Sequence, residues 1–113
     1  MEDKTIFEKI IDGEVPSEIL YEDAIAIVIR DIDPQAPTHA LIVPKKRISR
    51  IAEAEEEDAV LLGKLLLAAK KFAKANGLDS FRLVINSGHQ AGETVPHLHI
   101  HLLAGRPMAW PPG

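Results

Sequence analysis

Apolar positions along the chain alternate between helical and strand spacing, and the changes of spacing mark out the elements. Ile6, Phe7, Ile10 and Ile11 recur at the three- and four-residue steps of one helix face. Thr5, with Glu8 three residues on, forms a capping-box pair, and Gly13 can end the turn, so residues 5–13 predict a short helix. After Pro16 the chain reads as extended. The β-branched residues Ile25, Ile27, Val28 and Ile29 predict strands at 19–22 and 24–30, joined by a tight turn at Glu22 and Asp23. Pro34, Pro37, Asp31 and Asp33 make 31–38 a loop. A third strand is predicted at 39–44, followed by a short turn that Ser49 can cap. Helical spacing returns over 55–76, with Leu62, Leu65, Leu66, Ala69, Phe72 and Ala73 as the buried stripe. Acids at its start and Lys70, Lys71 and Lys74 near its end suit the helix dipole, and Asn76-Gly77 is a stop. Strands at 81–86 and 97–103 complete the set.

Strands joined by short loops around one long helix define an α+β domain. The expectation is a five-stranded, mainly antiparallel sheet with one long and one short helix. We expect a single domain over 1–113, with 106–113 an extended tail carrying Pro107, Pro111, Pro112 and the only tryptophan, Trp110. A chain of 113 residues buries one core, and an enclosed site on so small a body calls for help from a second subunit. The net charge of −4 argues against a nucleic-acid-coating surface. The absence of cysteine excludes thiolate chemistry and disulfides. Met1-Glu2-Asp3-Lys4 opens without a signal-peptide pattern, and Gly63-Lys64 interrupts the leucine-rich stretch before it reaches membrane-spanning length. The expected location is the cytoplasm, with no membrane and no nucleic-acid partner.

Candidate chemistry concentrates in His97-Leu98-His99-Ile100-His101-Leu102-Leu103. Strand alternation puts His97, His99 and His101 on one face, opposite Leu98, Ile100 and Leu102. The leucine face can pack on the long helix, and the histidine face then looks toward something polar. Three readings fit this strand: a histidine-rich surface, a metal site, or catalysis at phosphorus, where imidazole is nucleophile, proton donor or charge stabiliser. The strand alone does not decide among them. The preceding loop favours phosphorus, because Gly92-Glu93-Thr94 offers close backbone amides and a hydroxyl suited to a phosphate. Asn86 adds a neutral donor and acceptor. Asp31, at the end of a strand, can accept from ribose hydroxyls, although a plain turn aspartate is the commoner use of such a residue.

The run of three alternating histidines resembles the histidine-triad signature. Further segments, Asp31-Ile-Asp-Pro-Gln-Ala-Pro-Thr-His39, Pro44-Lys-Lys, Asn86 and Trp110-Pro-Pro-Gly113, are similar to the Hint branch of histidine-triad nucleotide-binding proteins. The resemblance covers nearly the whole chain. It implies an α+β homodimer whose two sheets join into one, hydrolysing purine nucleoside phosphoramidates and aminoacyl adenylates with no cofactor and no metal. By position it implies His99 as the nucleophile, forming a nucleotidyl-histidine. His101 would contact the phosphate, His39 would complete the cluster, and the His97 carbonyl would hold the tautomer of His99. Asp31 would bind the ribose, and Asn86, Gly92 and Thr94 the phosphate. Ile6, Phe7, Ile10, Ile29 and Ile32 would enclose the base, and Trp110 would meet the leaving group across the dimer.

Departures from that pattern fall in the same region. Glu93 stands where Gln is usual, which should weaken anion binding unless its side chain points away. Thr94 replaces Ser and keeps the hydroxyl. Pro96 and Ile29 stand where aromatic residues are common. Lys45-Lys46-Arg47 and the acids at 53–58 read as solvated surface, and His89 has no assigned role. Two alternatives remain: a non-catalytic purine-nucleotide-binding or partner-docking module, and a zinc-binding regulator built on the histidines.

Overall fold

A computed structural model describes residues 3–113; Met1 and Glu2, which belong to the N-terminal reading above, lie outside the described residues. The elements are α1 (Ile6–Ile11), β1 (Ile19–Glu22), β2 (Ala26–Arg30), β3 (Thr38–Pro44), α2 (Ala59–Ala75), β4 (Arg82–Val84) and β5 (Ile100–Ala104). Short 3-10 turns lie at Ile51–Glu53, Glu56–Asp58 and His89–Ala91. The five strands form one sheet in the order β1-β2-β3-β5-β4, and every pairing is antiparallel. This is the predicted α+β architecture, with one short and one long helix. No described helix is long and apolar enough to cross a membrane.

Local chemistry explains the boundaries. The Thr5 hydroxyl accepts from the Glu8 amide (3.1 Å) while the Glu8 carboxylate accepts from the Thr5 amide (3.0 Å), closing the predicted capping box. Such a cap stabilises a helix by about 1 kcal/mol. Gly13 then turns the chain at φ 79°. Asp23 accepts from the amides of Ile25 and Ala26, which holds residues 24 and 25 in the turn and starts β2 at Ala26 instead of 24. Asp58 is buried; it accepts from Lys46 Nζ (2.6 Å) and the Glu55 amide, fixing a tight turn, so the long helix begins at Ala59 and not at 55. Ser49 caps nothing: the turn at Ile51–Glu53 has Arg50 at its N-cap and no side-chain cap.

The sheet is covered on both faces. Against α2, Val28, Ala40, Ile42, Leu98, Ile100 and Leu102 pack with Leu65, Ala69 and Phe72. On the opposite face Ile27, Ile29, Leu41 and Val43 pack with Phe7 and Ile10 of α1. The helical stripe is corrected in one place: Leu66 is 49% exposed and Ala68 is buried in its stead. The last two strands are shorter than predicted. Pairing of β5 begins only at Ile100, so His97 and His99 sit just ahead of the ladder, yet the in-out alternation persists through them. The α1 face of the sheet is where the histidines emerge.

Candidate active site

A cleft of about 320 Å³ opens between α1, the end of β2 and the lead into β5. Its wall is mostly apolar, from Ile6, Phe7, Ile10, Ile29 and Ile32, and the polar side chains Asp31, Thr94, His99 and His101 also line it. Ile32 is 98% exposed and therefore stands at the rim. Phe7 meets the His99 ring edge-on at 4.9 Å, and the His99 and His101 rings lie 5.0 Å apart. The base-enclosing set, the ribose candidate and two triad histidines thus share one concavity.

His97 does not face that cleft. It is fully buried, which corrects the expectation that all three histidines look toward a polar medium. Its Nε2 lies 2.9 Å from the Pro44 carbonyl and its Nδ1 lies 2.9 Å from the Thr5 hydroxyl. A carbonyl can only accept, so Nε2 carries the proton and Nδ1 accepts from Thr5. Burial pushes the pKa of His97 down, consistent with a neutral ring. The backbone carbonyl of His97 accepts from Nδ1 of His99 at 2.7 Å. That bond puts the proton on Nδ1 and leaves the Nε2 lone pair of His99 uncommitted.

His101 carries the opposite tautomer. The amide of Gln35 donates to Nδ1 of His39 at 3.0 Å, so the neutral His39 ring holds its proton on Nε2. Nε2 of His39 lies 2.9 Å from Nδ1 of His101, which must accept and which leaves Nε2–H of His101 as a donor. Burial, followed by the neighbouring imidazoles His99 and His39, pushes the His101 pKa down to about 4. His39 is buried at the foot of this chain, behind the cleft wall. Asp31 has one carboxylate oxygen 2.8 Å from the Asp33 amide, the turn role, and the other 3.4 Å from His39 Nε2.

The loop before β5 is fastened from outside. Arg50 grips Glu93 through two bonds of 2.9 Å, and the Glu93 carboxylate also accepts from the Gly88 amide at 3.0 Å. The Arg50 guanidinium holds the Glu93 carboxyl down at about 2. Its charge is therefore paired with and turned toward the Arg50 guanidinium. Gly92, at φ 100°, packs beside Asn86, since a Cβ there would sit 3.6 Å from Asn86 Nδ2. Asn86, Gly92 and Glu93 line the loop and not the cleft. Trp110 is 81% exposed and lies under the Arg82 guanidinium on edge strand β4; within one chain it does not reach the histidines.

Sequence reasoning missed Thr5 as a partner of His97, the Gln35 amide and Arg50. Thr5 was visible only as a helix cap. A backbone amide in a proline loop leaves no residue-type signal, and Arg50 finds Glu93 across 43 positions.

A small α+β domain with an apolar cleft edged by histidines of fixed tautomer is the class that this fold and site define. The HIT domain model matches residues 12–108, and the chain belongs to the HIT domain family. An HIT-like protein of Synechocystis is 52% identical over 114 residues, covering all of both chains. A 14 kDa zinc-binding protein of Zea mays is 52% identical over 112 residues, covering 96% of this chain and 88% of that one. Among solved structures, a HIT family hydrolase from Legionella pneumophila superposes with a TM-score of 0.95 at 47% identity, over 97% of this chain and 100% of that chain. A histidine triad nucleotide-binding protein from Candida albicans does so at 0.81 and 32%, over 96% and 83%.

The maize protein's name makes zinc worth testing against the donor set. Among the described residues, Asp31, His39 and His101 bring one ligand atom each within 4.8 Å of one another. A metal needs an imidazole lone pair. The single lone pair of neutral His39 accepts from Gln35, that of His101 accepts from His39, and both nitrogens of His97 are engaged. Of these four rings, His99 alone keeps a free one. The residues do not fit a metal.

Proposed function

We propose that the chain is a nucleoside phosphoramidase of the Hint branch, with His99 as nucleophile on purine nucleoside phosphoramidates and acyl adenylates. The observation that carries this reading is the pair of opposite tautomers in one cleft: a bare Nε2 on His99 and a protonated Nε2 on His101. With a phosphoramidate, Nε2 of His99 attacks the α-phosphorus, the P–N bond breaks, and the departing amine takes a proton from solvent; with an acyl adenylate the P–O bond breaks and a carboxylate leaves. Water then attacks the nucleotidyl-histidine, the bond between phosphorus and Nε2 breaks, and His99 is restored with release of the nucleoside monophosphate. Nε2–H of His101, a donor fixed before reaction, and the hydroxyl of the cleft-lining Thr94 stabilise charge on the phosphoryl oxygens. The apolar wall takes the base and Asp31 the ribose.

We read 1–113 as one histidine-triad domain that works as a homodimer, its tail at 106–113 reaching the neighbour's site. Edge strand β4 and the exposed Phe81, Ile85 and Leu66 beside it support a sheet-to-sheet contact. The test is incubation with an adenosine phosphoramidate and measurement of adenosine monophosphate, in chelator and without. The wild type should turn over in both, and His99→Ala should lose several orders of magnitude while still binding adenosine monophosphate. Nucleotide binding without turnover in the wild type would leave a binding module. Activity that a chelator abolishes and zinc restores would overturn the metal-free route.

A further inference from the structure

The hydrogen bond between Thr5 and His97 joins two parts of the molecule that are 92 positions apart in sequence. On one side is the N-cap of α1, the helix whose Ile6, Phe7 and Ile10 line the cleft. On the other is the imidazole whose own backbone carbonyl holds Nδ1 of His99. Thr5 is buried, and its hydroxyl does two things at once: the oxygen accepts from the Glu8 amide and the proton goes to Nδ1 of His97. Nε2 of His97 is anchored on Pro44, at the end of β3. The ring is therefore pinned between helix and sheet and holds the His97 backbone from one side, while the Leu98 amide, donating to the Ile48 carbonyl at 2.7 Å, holds the peptide unit that carries the His97 carbonyl from the other.

We propose that Thr5 is a positioning residue: its hydroxyl, acting through His97, sets the orientation of His99 and couples it to the seating of α1 on the bound base. This rests on His99 being the nucleophile. Without the hydroxyl, Nδ1 of His97 is a buried acceptor with no donor, and the ring gains freedom to tilt or change tautomer. A small displacement of a reacting atom costs about 100-fold in rate when attack needs alignment. Phe7, the second residue of the same helix, contacts both the His97 and His99 rings (5.7 and 4.9 Å), so the helix and both imidazoles are packed against one another.

The experiment compares Thr5→Val, Thr5→Ser and Glu8→Ala. Valine keeps the shape and removes the hydroxyl; serine restores it. Glu8→Ala breaks the reciprocal cap bond and the ion pair with Arg47 while leaving the Thr5–His97 bond in place, and so reports what loss of the cap does with the Thr5 hydroxyl present. Ring-nitrogen NMR shifts of His97 and His99 and the affinity for adenosine monophosphate are read on each, with kcat and KM for a phosphoramidate. We expect Thr5→Val to shift the His97 and His99 nitrogens and to lower kcat about 10- to 100-fold, more than it changes KM. Thr5→Ser should return both to wild type, and Glu8→Ala, which removes a carboxylate whose charge reaches His97, should disturb the nitrogens and kcat far less than Thr5→Val does. Unchanged nitrogen shifts in Thr5→Val, or the same losses in Glu8→Ala, would overturn the proposal. A wild type that binds the nucleotide without turnover would defeat the phosphoramidase reading, while the nitrogen shifts would still decide whether Thr5 controls His99.

Discussion

Nε2–H of His39 points at Nδ1 of His101 across 2.9 Å, and the position of both protons traces back to the backbone amide of Gln35. On the neighbouring residue pair the order is reversed, because the His97 carbonyl takes the Nδ1 proton of His99. Side chains two apart on one strand path thus present a donor and an acceptor to the same cleft. Neither ring chooses its tautomer; backbone groups choose for both.

The first consequence is a pH dependence of stability. His101 is held down at about 4 from an ordinary 6.5, and His97 is lowered too, in both cases mainly by burial. Between those limits the unfolded chain binds protons that the native state refuses, so falling pH favours unfolding. The contribution of His101 is whole above pH 6.5, declines from there to about 4, and is flat below. Urea midpoints should therefore drop from pH 8 to pH 5, and His101→Gln should shrink the drop. A wild-type midpoint that is level across that interval would contradict the burial of neutral histidines.

Glu93 responds in a lower window. With its carboxyl at about 2, it stays ionised at any working pH, and the Arg50 clamp is permanent and not a switch. Glu93→Ala should free the Gly88 amide and loosen the loop before β5, raising KM. Arg50→Gln with Glu93→Gln should be no worse than the more damaging single change, since both act on one interaction. Hydrogen exchange at Gly88 and Gly92 checks the loosening. Exchange unchanged in Glu93→Ala would mean that the loop holds itself.

How much of this was legible in the chain depends on the range of the interaction. The capping box at Thr5 and Glu8, the Asn76-Gly77 stop and the alternation from His97 to Leu102 are local, and all appear as read. Boundaries slipped where a side chain took over the backbone's bonding. Asp23 delays β2, and Asp58 turns the first residues of the long helix into a 3-10 turn. Part of the candidate site falls in one cleft, where two strand faces and one helix face converge, while His39, His97, Asn86, Gly92 and Glu93 do not line it. The tautomer chains were not legible, because they run through the Gln35 amide, the Pro44 carbonyl and a threonine already explained as a cap. Fully buried His97 shows the limit of pattern reading: alternation gives its face, not its depth.

Asp31 holds a turn and also lines the cleft, where its sequence position offered a ribose contact as the alternative to a turn. One oxygen closes the turn onto the Asp33 amide while the carboxylate also lines the cleft. Asp31→Asn keeps an acceptor for the turn and removes the charge; Asp31→Ala removes both. If the carboxylate holds the ribose, Asp31→Asn should weaken adenosine monophosphate about 10-fold or more and its 2′-deoxy analogue far less. Stability should fall mainly in Asp31→Ala. Equal loss of the two nucleotides in Asp31→Asn, measured by calorimetry, would leave the turn as the sole role.

In the proposed dimer the tail bears on which amines leave. Residues 106–113 form neither helix nor strand, and Trp110 is 81% exposed, beneath the guanidinium of Arg82 of edge strand β4. A tryptophan so exposed leaves a large apolar surface in water, which a second subunit can cover. Proline at 107, 111 and 112 limits the conformations lost on docking, so ordering the tail against a neighbour costs less entropy. Arg82 also donates to the Ala109 carbonyl at 3.0 Å, which fixes where the tail leaves its own sheet. Deleting 107–113 should leave the fold and the dimer, since neither core cluster includes these residues. It should change the ranking of phosphoramidates that differ in their amine while sparing adenosine monophosphate affinity. Sedimentation and a panel of amines, run on full-length and truncated protein, test both halves. A monomer in sedimentation, or an unchanged ranking after truncation, would remove the tail from the site.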